Sequence, residues 1–242
     1  MYQIGIPSYR RSNNCKTLLT LHKCKIPKEL INVFVVEEEF DLYLSTLNKD
    51  YYNKLVVGEH TLVKQREFIE NYYPVSTNLI FMDDDIDDVM YGTYDTLNDF
   101  FNEAFKTCHD NSSFIWGIYP VNNSFFFKKQ PALSVSLKFI IGCLYGIITR
   151  ENAPKLQITS KHDGNKDDVE RSILYYLRDK IVLRFNHVTI KTKFYKKNEG
   201  LGGLEERKDF MMNSAIELNK EYPHLTRIKI RKNGLYEIQF KR

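Results

Sequence analysis

The stretch Ile31–Val36, INVFVV, is a near-continuous apolar, β-branched run. A strand with water on one face alternates polar and apolar residues, whereas a run like this one suits a strand buried on both faces. That requirement orders the first half of the chain. Tyr2–Pro7 (YQIGIP), Lys54–Val57 and Asn78–Met82 read as further strands. Thr17–Lys23, closed by Ile26-Pro27, and Thr61–Tyr73, closed by Pro74, read as helices between them. Asp95 is placed to cap a third helix running through Lys106, with Leu97, Phe101 and Phe105 on one face. Strands alternating with helices predict an α/β fold on a mainly parallel sheet, in which ligands sit beyond the carboxyl ends of the strands.

The second half is more mixed. Ser113–Tyr119, Ser124–Phe127 and Phe139–Thr149 read as strands, and the two glycines of the last suggest close backbone approach. Asp168–Lys180 and Glu205–Tyr222 have helical apolar spacing. In the closing TRIKIRKNGLYEIQF, Asn233-Gly234 signals a hairpin that puts Ile228, Ile230, Ile238 and Phe240 on one face and Arg227, Lys229 and Arg231 on the other. With no internal repeat or linker, residues 1–242 are expected to form one domain, in two halves at 1–110 and 111–242.

Charge is unevenly placed. Residues 181–242 carry 14 Lys and Arg against 7 Asp and Glu, so the first 180 residues are net acidic within an overall charge of +4. A basic C-terminal quarter suits a partner with phosphates. The four cysteines, Cys15, Cys24, Cys108 and Cys143, have no zinc-site or C-x-x-C spacing, so reduced thiols and a cytoplasmic setting are expected. The most apolar run, Phe139–Thr149, is shorter than the roughly 20 residues of a membrane span.

Against this frame LIFMDDDIDDVM (Leu79–Met90) stands out, with five aspartates in six positions after an apolar strand. Hard carboxylate oxygens at a strand end suit Mg²⁺ or Mn²⁺. Strand alternation would send Asp83 and Asp85 to one side and Asp84 to the other, while Asp87 and Asp88 begin a solvated loop. Asp163, Asp167, Asp168 and Glu170 form a later acidic group at a helix start, where N-capping competes with catalysis as the explanation.

Taken in order, IGIPSYRR, INVFVVEEE, LVKQREFIENYYP, IFMDDDID and KDDVERSIL resemble the successive motifs of the GT-A glycosyltransferases, a Rossmann-like family that uses nucleotide sugars. The resemblance spans roughly residues 2–205. It implies Asp83 and Asp85 as ligands of Mn²⁺ or Mg²⁺, and Pro7, Ser8, Tyr9, Arg10, Glu37, Arg66 and Asp84 as contacts to a nucleotide-diphosphate sugar, with UDP-sugar the first expectation. Arg11 joins Arg10 as a candidate for phosphate or base. Asp168, with Asp167 beside it, is the implied base. His187 is a candidate late metal ligand, and Lys197, with Lys196 or Arg207, a candidate diphosphate contact from the glycine-rich segment Tyr195–Gly203. Trp116 and Phe125–Phe127 fall where such enzymes build the acceptor side, although core packing is the expectation for the phenylalanines.

The GLGG segment, the R-x-D-F-M helix with its EYP and the closing G-x-x-E-I strand resemble the phage TET-associated glycosyltransferases. That likeness implies 5-hydroxymethylcytosine in viral DNA as the acceptor, with Arg227, Lys229 and Arg231 facing its phosphates. Glu205-Glu206 departs from a DNA-facing surface. Two rivals stay open: a transferase building a glycan on protein or lipid, and a metal-dependent nuclease or other phosphoryl-transfer enzyme.

Overall fold

The computed structural model describes residues 1–123, 130–151, 156–159, 165–192, 204–232 and 234–241. Its centre is an eight-stranded sheet in the order β3-β2-β1-β4-β8-β6-β9-β7. β1 (Tyr2–Pro7), β2 (Ile31–Val35), β3 (Lys54–Val57) and β4 (Asn78–Met82) are mutually parallel. β8 (Leu144–Ile148) runs antiparallel to β4 and to β6 (Ile115–Ile118). β9 (Leu183–Phe185) is parallel to β6, and β7 (Leu133–Ser134) closes the edge antiparallel to β9. This is the expected Rossmann-like, mainly parallel α/β architecture. β2, inside the sheet, is buried at every position, as a strand covered on both faces requires.

Helices cover both faces. One core packs α1 (Lys16–Lys23), Tyr43 of α2 (Phe40–Thr46) and the Leu97, Phe101 and Phe105 face of α4 (Leu97–Asp110) against Ile4, Ile6, Ile80 and Met82. The opposite core joins Ile69 of α3 (Leu62–Tyr72) and Tyr175 of α5 (Asp167–Asp179) to Phe34, Leu79, Phe81 and Tyr145. Beyond the sheet, β11 (Thr226–Ile230) and β12 (Tyr236–Phe240) form an antiparallel pair in which Ile228 faces Ile238. Ile238 and Phe240 pack with Val169 and Ile173 of α5 and Leu218 of α6 (Leu204–Glu221). Gly234 has φ +80°, a left-handed conformation suited to glycine; Asn233 lies outside the described residues. None of the described helices is long and apolar enough to cross a membrane.

Several expectations change. The cap of α4 is Thr96, not Asp95: its hydroxyl accepts the Asp99 amide at 3.1 Å. The expected strand at Phe139–Thr149 is regular only over Leu144–Ile148, because the carbonyls of Gly142 and Cys143 turn to Arg66 and to the Asp83 amide. Trp116 is no acceptor platform. It is fully buried among Phe100, Phe105 and Phe185, and it lies so close to Gly146 that a Cβ there would stand 2.2 Å from its Nε1. The expected strand Ser124–Phe127 lies outside the described residues.

Candidate active site

Because β1, β2 and β4 are parallel, their carboxyl ends place the SYRR segment, Glu37–Glu39 and the aspartates along one edge of the sheet. β8 arrives antiparallel, so its leading Gly142 and Cys143 reach the same edge, with the Asp83 amide donating to the Cys143 carbonyl at 2.9 Å. β4 ends at Met82, and from there strand alternation no longer dictates where side chains point.

Arginines do so instead. Asp83 Oδ1 accepts from Nη2 of Arg66 at 2.9 Å, on the α3 side. Asp84 turns to the other side, with Oδ1 3.2 Å from Nε of Arg11 and Oδ2 accepting from the Ser8 hydroxyl at 2.5 Å. Asp85 does not follow Asp83 as alternation requires; its Oδ2 lies 3.3 Å from Nη2 of Arg11, the guanidinium it shares with Asp84. Ser8 Oγ also meets the Tyr43 hydroxyl, which accepts the Arg11 amide. Asp84 and Ser8 are both buried, so they brace the loop internally and do not meet ribose or sugar. Burial pushes the Asp84 carboxyl up to about 7, against the pull of Arg11 and the Ser8 hydrogen bond. Burial also raises Asp83, with Arg66 opposing and Asp85 and Asp167 reinforcing.

Arg66 is likewise not a surface contact for nucleotide. Buried in mid-α3, it donates through Nη1 to Asp167 at 2.6 Å and through Nη2 to the Gly142 carbonyl at 2.7 Å as well as to Asp83. Burial opposes its charge, but Tyr145, Asp83, Asp167 and Asp168 together raise its pKa, so it stays protonated. Asp167 Oδ2 also accepts from Nη2 of Arg171 at 3.0 Å. With its carboxylate gripped by two guanidiniums and its side chain buried, Asp167 is unavailable as a base.

Asp168 differs from its neighbour. It is half-buried, and among the described residues its side chain accepts only the following amide, Val169, at 2.9 Å. Its carboxyl rises to about 6 through burial and then the adjacent Asp167, with Lys166, Arg171 and Arg66 opposing. The residue before α5 is Lys166, which makes no side-chain cap; both aspartates lie in the first turn of the helix, where negative charge is favourable and Asp168 meets the Val169 amide. A Cβ on Gly142 would stand 3.2 Å from Nη1 of Arg66 and 3.4 Å from Cβ of Asp168. A side chain here would press on the guanidinium, which would have to shift by a few tenths of an ångström. Glu170 faces away, accepting the amide and hydroxyl of Thr159 at 3.1 and 2.7 Å; Asp163 lies outside the described residues.

The exposed groups along the edge are Tyr9, Arg10 and Glu37. The Arg10 guanidinium lies 4.8 Å from the Tyr9 ring centre, and its amide donates to Glu39 at 2.9 Å. Its φ of 57° is a conformation that a non-glycine residue holds only at a cost, often at functional sites. Pro7, by contrast, is buried at the end of β1.

His187 is not near the aspartates. β10 (Thr189–Lys191) pairs with β5 (Asp88–Met90), and Thr192 donates to the Asp85 carbonyl at 3.0 Å. His187 lies in the turn before the other end of β10, with its carbonyl against Gly92, while the end of β10 that nears Asp85 is at Lys191-Thr192. Lys196, Lys197 and the glycine-rich segment lie outside the described residues, as do Phe125–Phe127. Asp87 is not purely solvated, since Lys16 bridges to it, while Asp88 is exposed as expected. On the hairpin, Arg227 and Lys229 are exposed, Arg227 donates to Gln239 at 3.2 Å, and Arg231 pairs with Glu237.

In all, five carboxylates (Asp83, Asp84, Asp85, Asp167 and Asp168) meet three guanidiniums, those of Arg11, Arg66 and Arg171. The excess is negative, and this like-charge repulsion adds to burial, the larger cause, in raising the carboxyl pKa values of Asp83, Asp84 and Asp168. Asp83 Oδ2 and Asp85 Oδ1 keep no protein partner among the described residues. Two hard oxygens in a negative surround fit Mg²⁺ or Mn²⁺, which retain waters and substrate oxygens in their remaining positions. Among the described residues no three His, Cys, Asp or Glu side chains form a complete metal cage.

No protein-family model matches the sequence, and no curated protein matches it. Among solved structures, the chain is similar to CMP:2-keto-3-deoxy-manno-octonic acid synthetase complexed with CTP, at 9% identity and a TM-score of 0.47, covering 89% of this chain and 99% of that one. A likeness that loose carries no chemistry from one protein to the other.

Proposed function

We propose that the chain is a metal-dependent glycosyltransferase, moving a sugar from a nucleotide-diphosphate sugar, UDP-sugar first, to an acceptor hydroxyl. The observation that carries this reading is the pairing of two oxygens with no partner among the described residues, Asp83 Oδ2 and Asp85 Oδ1, with a half-buried carboxylate of raised pKa, Asp168, across the Gly142 turn. A Mn²⁺ or Mg²⁺ held by Asp83 and Asp85 would supply positive charge opposite the departing diphosphate. Asp168 takes the acceptor hydroxyl proton as the acceptor oxygen bonds to the anomeric carbon and the carbon–oxygen bond to diphosphate breaks. A base with a pKa near 6 is ionised at neutral pH and stronger than an ordinary aspartate. Tyr9, Arg10 and Glu37 line the edge where nucleotide and phosphates would lie, and this division of labour assigns donor binding to residues 1–110 and acceptor binding to 111–242.

As acceptor we propose 5-hydroxymethylcytosine in DNA. Supporting this, Lys166 feels Asp168, Glu237 and Arg231 together, so the turn end of the basic hairpin adjoins the first turn of α5. Exposed Lys229, and Arg227 further along the same strand toward the open end of the hairpin, suit a phosphate backbone. The test is to incubate the protein with Mn²⁺ and a panel of nucleotide sugars, and to measure nucleoside diphosphate with and without hydroxymethylcytosine DNA. Release stimulated by modified DNA is the expected result. Stimulation by an oligosaccharide or lipid acceptor alone would remove the DNA acceptor, and metal-dependent nicking of DNA without diphosphate release would replace the transferase with a nuclease.

A further inference from the structure

Arg171 sits one helical turn beyond Asp167 on α5, where positions four apart share a face. It is buried, donates through Nη2 to Asp167 at 3.0 Å, and lies with its guanidinium 4.4 Å from the ring centre of Tyr145. Its Nη1 has no hydrogen-bond partner among the described residues, and the half-buried Glu70 carboxyl lies close enough to feel its charge. The oxygen Arg171 grips is the one Arg66 reaches across the sheet edge at 2.6 Å. Arg66 in turn holds Asp83 and the Gly142 carbonyl. The sequence Arg171, Asp167, Arg66, Asp83 is therefore a continuous chain of charged contacts between α5 and the aspartates after β4.

We propose that Arg171 is a positioning residue of the transfer site: with Arg66 it fixes Asp167, and so holds the first turn of α5, which carries Asp168, in register with Asp83 and Asp85. The inference rests on the transferase reading above. Arg171 touches neither donor nor acceptor on this view; it acts through the backbone of Asp167-Asp168. Loss of its grip frees Asp167 to follow Arg66 alone, and the start of α5 shifts relative to the platform. A displacement on the order of 1 Å in such a constellation costs roughly a hundredfold in rate, while donor affinity, set by the β1 and β4 ends, stays as it was.

The test compares wild type with Arg171→Gln, Arg171→Met and Arg171→Lys in the diphosphate-release assay, with melting temperatures recorded alongside. The expected result is a loss of kcat of about ten- to a hundredfold in Arg171→Gln and Arg171→Met, donor KM within about twofold of wild type, and partial recovery of kcat in Arg171→Lys, which restores the charge and one donor. If Arg171→Met does not fold, Arg171→Gln, whose shorter and uncharged side chain withdraws the guanidinium from Asp167, decides the matter. A folded Gln or Met variant with wild-type kcat overturns the inference, as does a change confined to melting temperature. An inactive wild type overturns the transferase reading and this inference together, whereas an active wild type with indifferent variants overturns this inference alone.

Discussion

Replacing Glu170 by glutamine offers a direct measure of what the fold expends on its buried acids. Glu170 is buried, and burial raises its carboxyl from 4.5 to about 7, opposed by the two Thr159 hydrogen bonds and aided by Glu221 and Asp167. A group whose folded pKa lies above its unfolded value binds more protons folded than unfolded. Its stabilising contribution is therefore complete below about pH 4.5 and is lost as the pH rises through about 7. At about 1.4 kcal/mol per pKa unit the full loss is about 3 kcal/mol, and most of it, about 2–3 kcal/mol, falls between about pH 5 and 8. Glutamine does not titrate, so Glu170→Gln removes this slope whatever it does to absolute stability through its contacts with Thr159. Urea denaturation of both proteins at intervals from pH 5 to 8, without divalent cations, gives the two curves. The variant should gain on wild type by about 2–3 kcal/mol across that range. Parallel curves would refute the reasoning, and a variant that loses ground as pH rises would reverse its sign.

The aspartates give the remaining predictions. Asp168→Asn should lower kcat by about 10²–10⁴-fold in the diphosphate-release assay while circular dichroism shows the fold retained; less than a tenfold loss would exclude the base role. Asp85→Asn should weaken Mn²⁺ binding, read by the paramagnetic resonance of free Mn²⁺, because it removes one of the two partnerless oxygens, and unchanged binding would refute the ligand assignment. Gly142→Ala should destabilise the fold by about 1–3 kcal/mol in a denaturant titration, since the guanidinium 3.2 Å from the new methyl is pinned by Asp83, Asp167 and the Gly142 carbonyl and has no room to yield. Arg227→Ala with Lys229→Ala should flatten the salt dependence of DNA binding in a fluorescence-anisotropy titration, by roughly one unit of slope per lost phosphate contact; an unaltered slope would remove the hairpin from the acceptor surface.

The layout of the sheet was legible because hydrophobic runs and helix breakers act locally: INVFVV demands cover on both faces wherever it lies, and LIFM leads into the aspartates whatever surrounds them. The partners of those aspartates were not legible, because Arg66 and Asp167 meet across 101 residues of sequence and a long guanidinium side chain carries no periodic signal of its destination. Strand alternation therefore held through Asp84 and failed at Asp85, three residues past Met82, where Arg11 draws Asp84 and Asp85 together. One signal was present and local: Asp167 and Arg171 stand four apart on a helix, the spacing at which opposite charges meet. Trp116 shows the converse, an aromatic whose position among motifs suggested a ligand surface while its size alone favoured the core it occupies. The density of aspartates, which repulsion should forbid, is tolerated because three arginines lie among them, yet the arginines do not complete the neutralisation. Burial raises Asp84 to about 7 and Asp168 to about 6, and neighbouring carboxylates add to each shift; a divalent cation at Asp83 and Asp85 would offset that mutual repulsion. On that argument the cluster's imbalance is what suits it to a metal, so adding Mn²⁺ should raise the melting temperature of wild type more than that of Asp85→Asn.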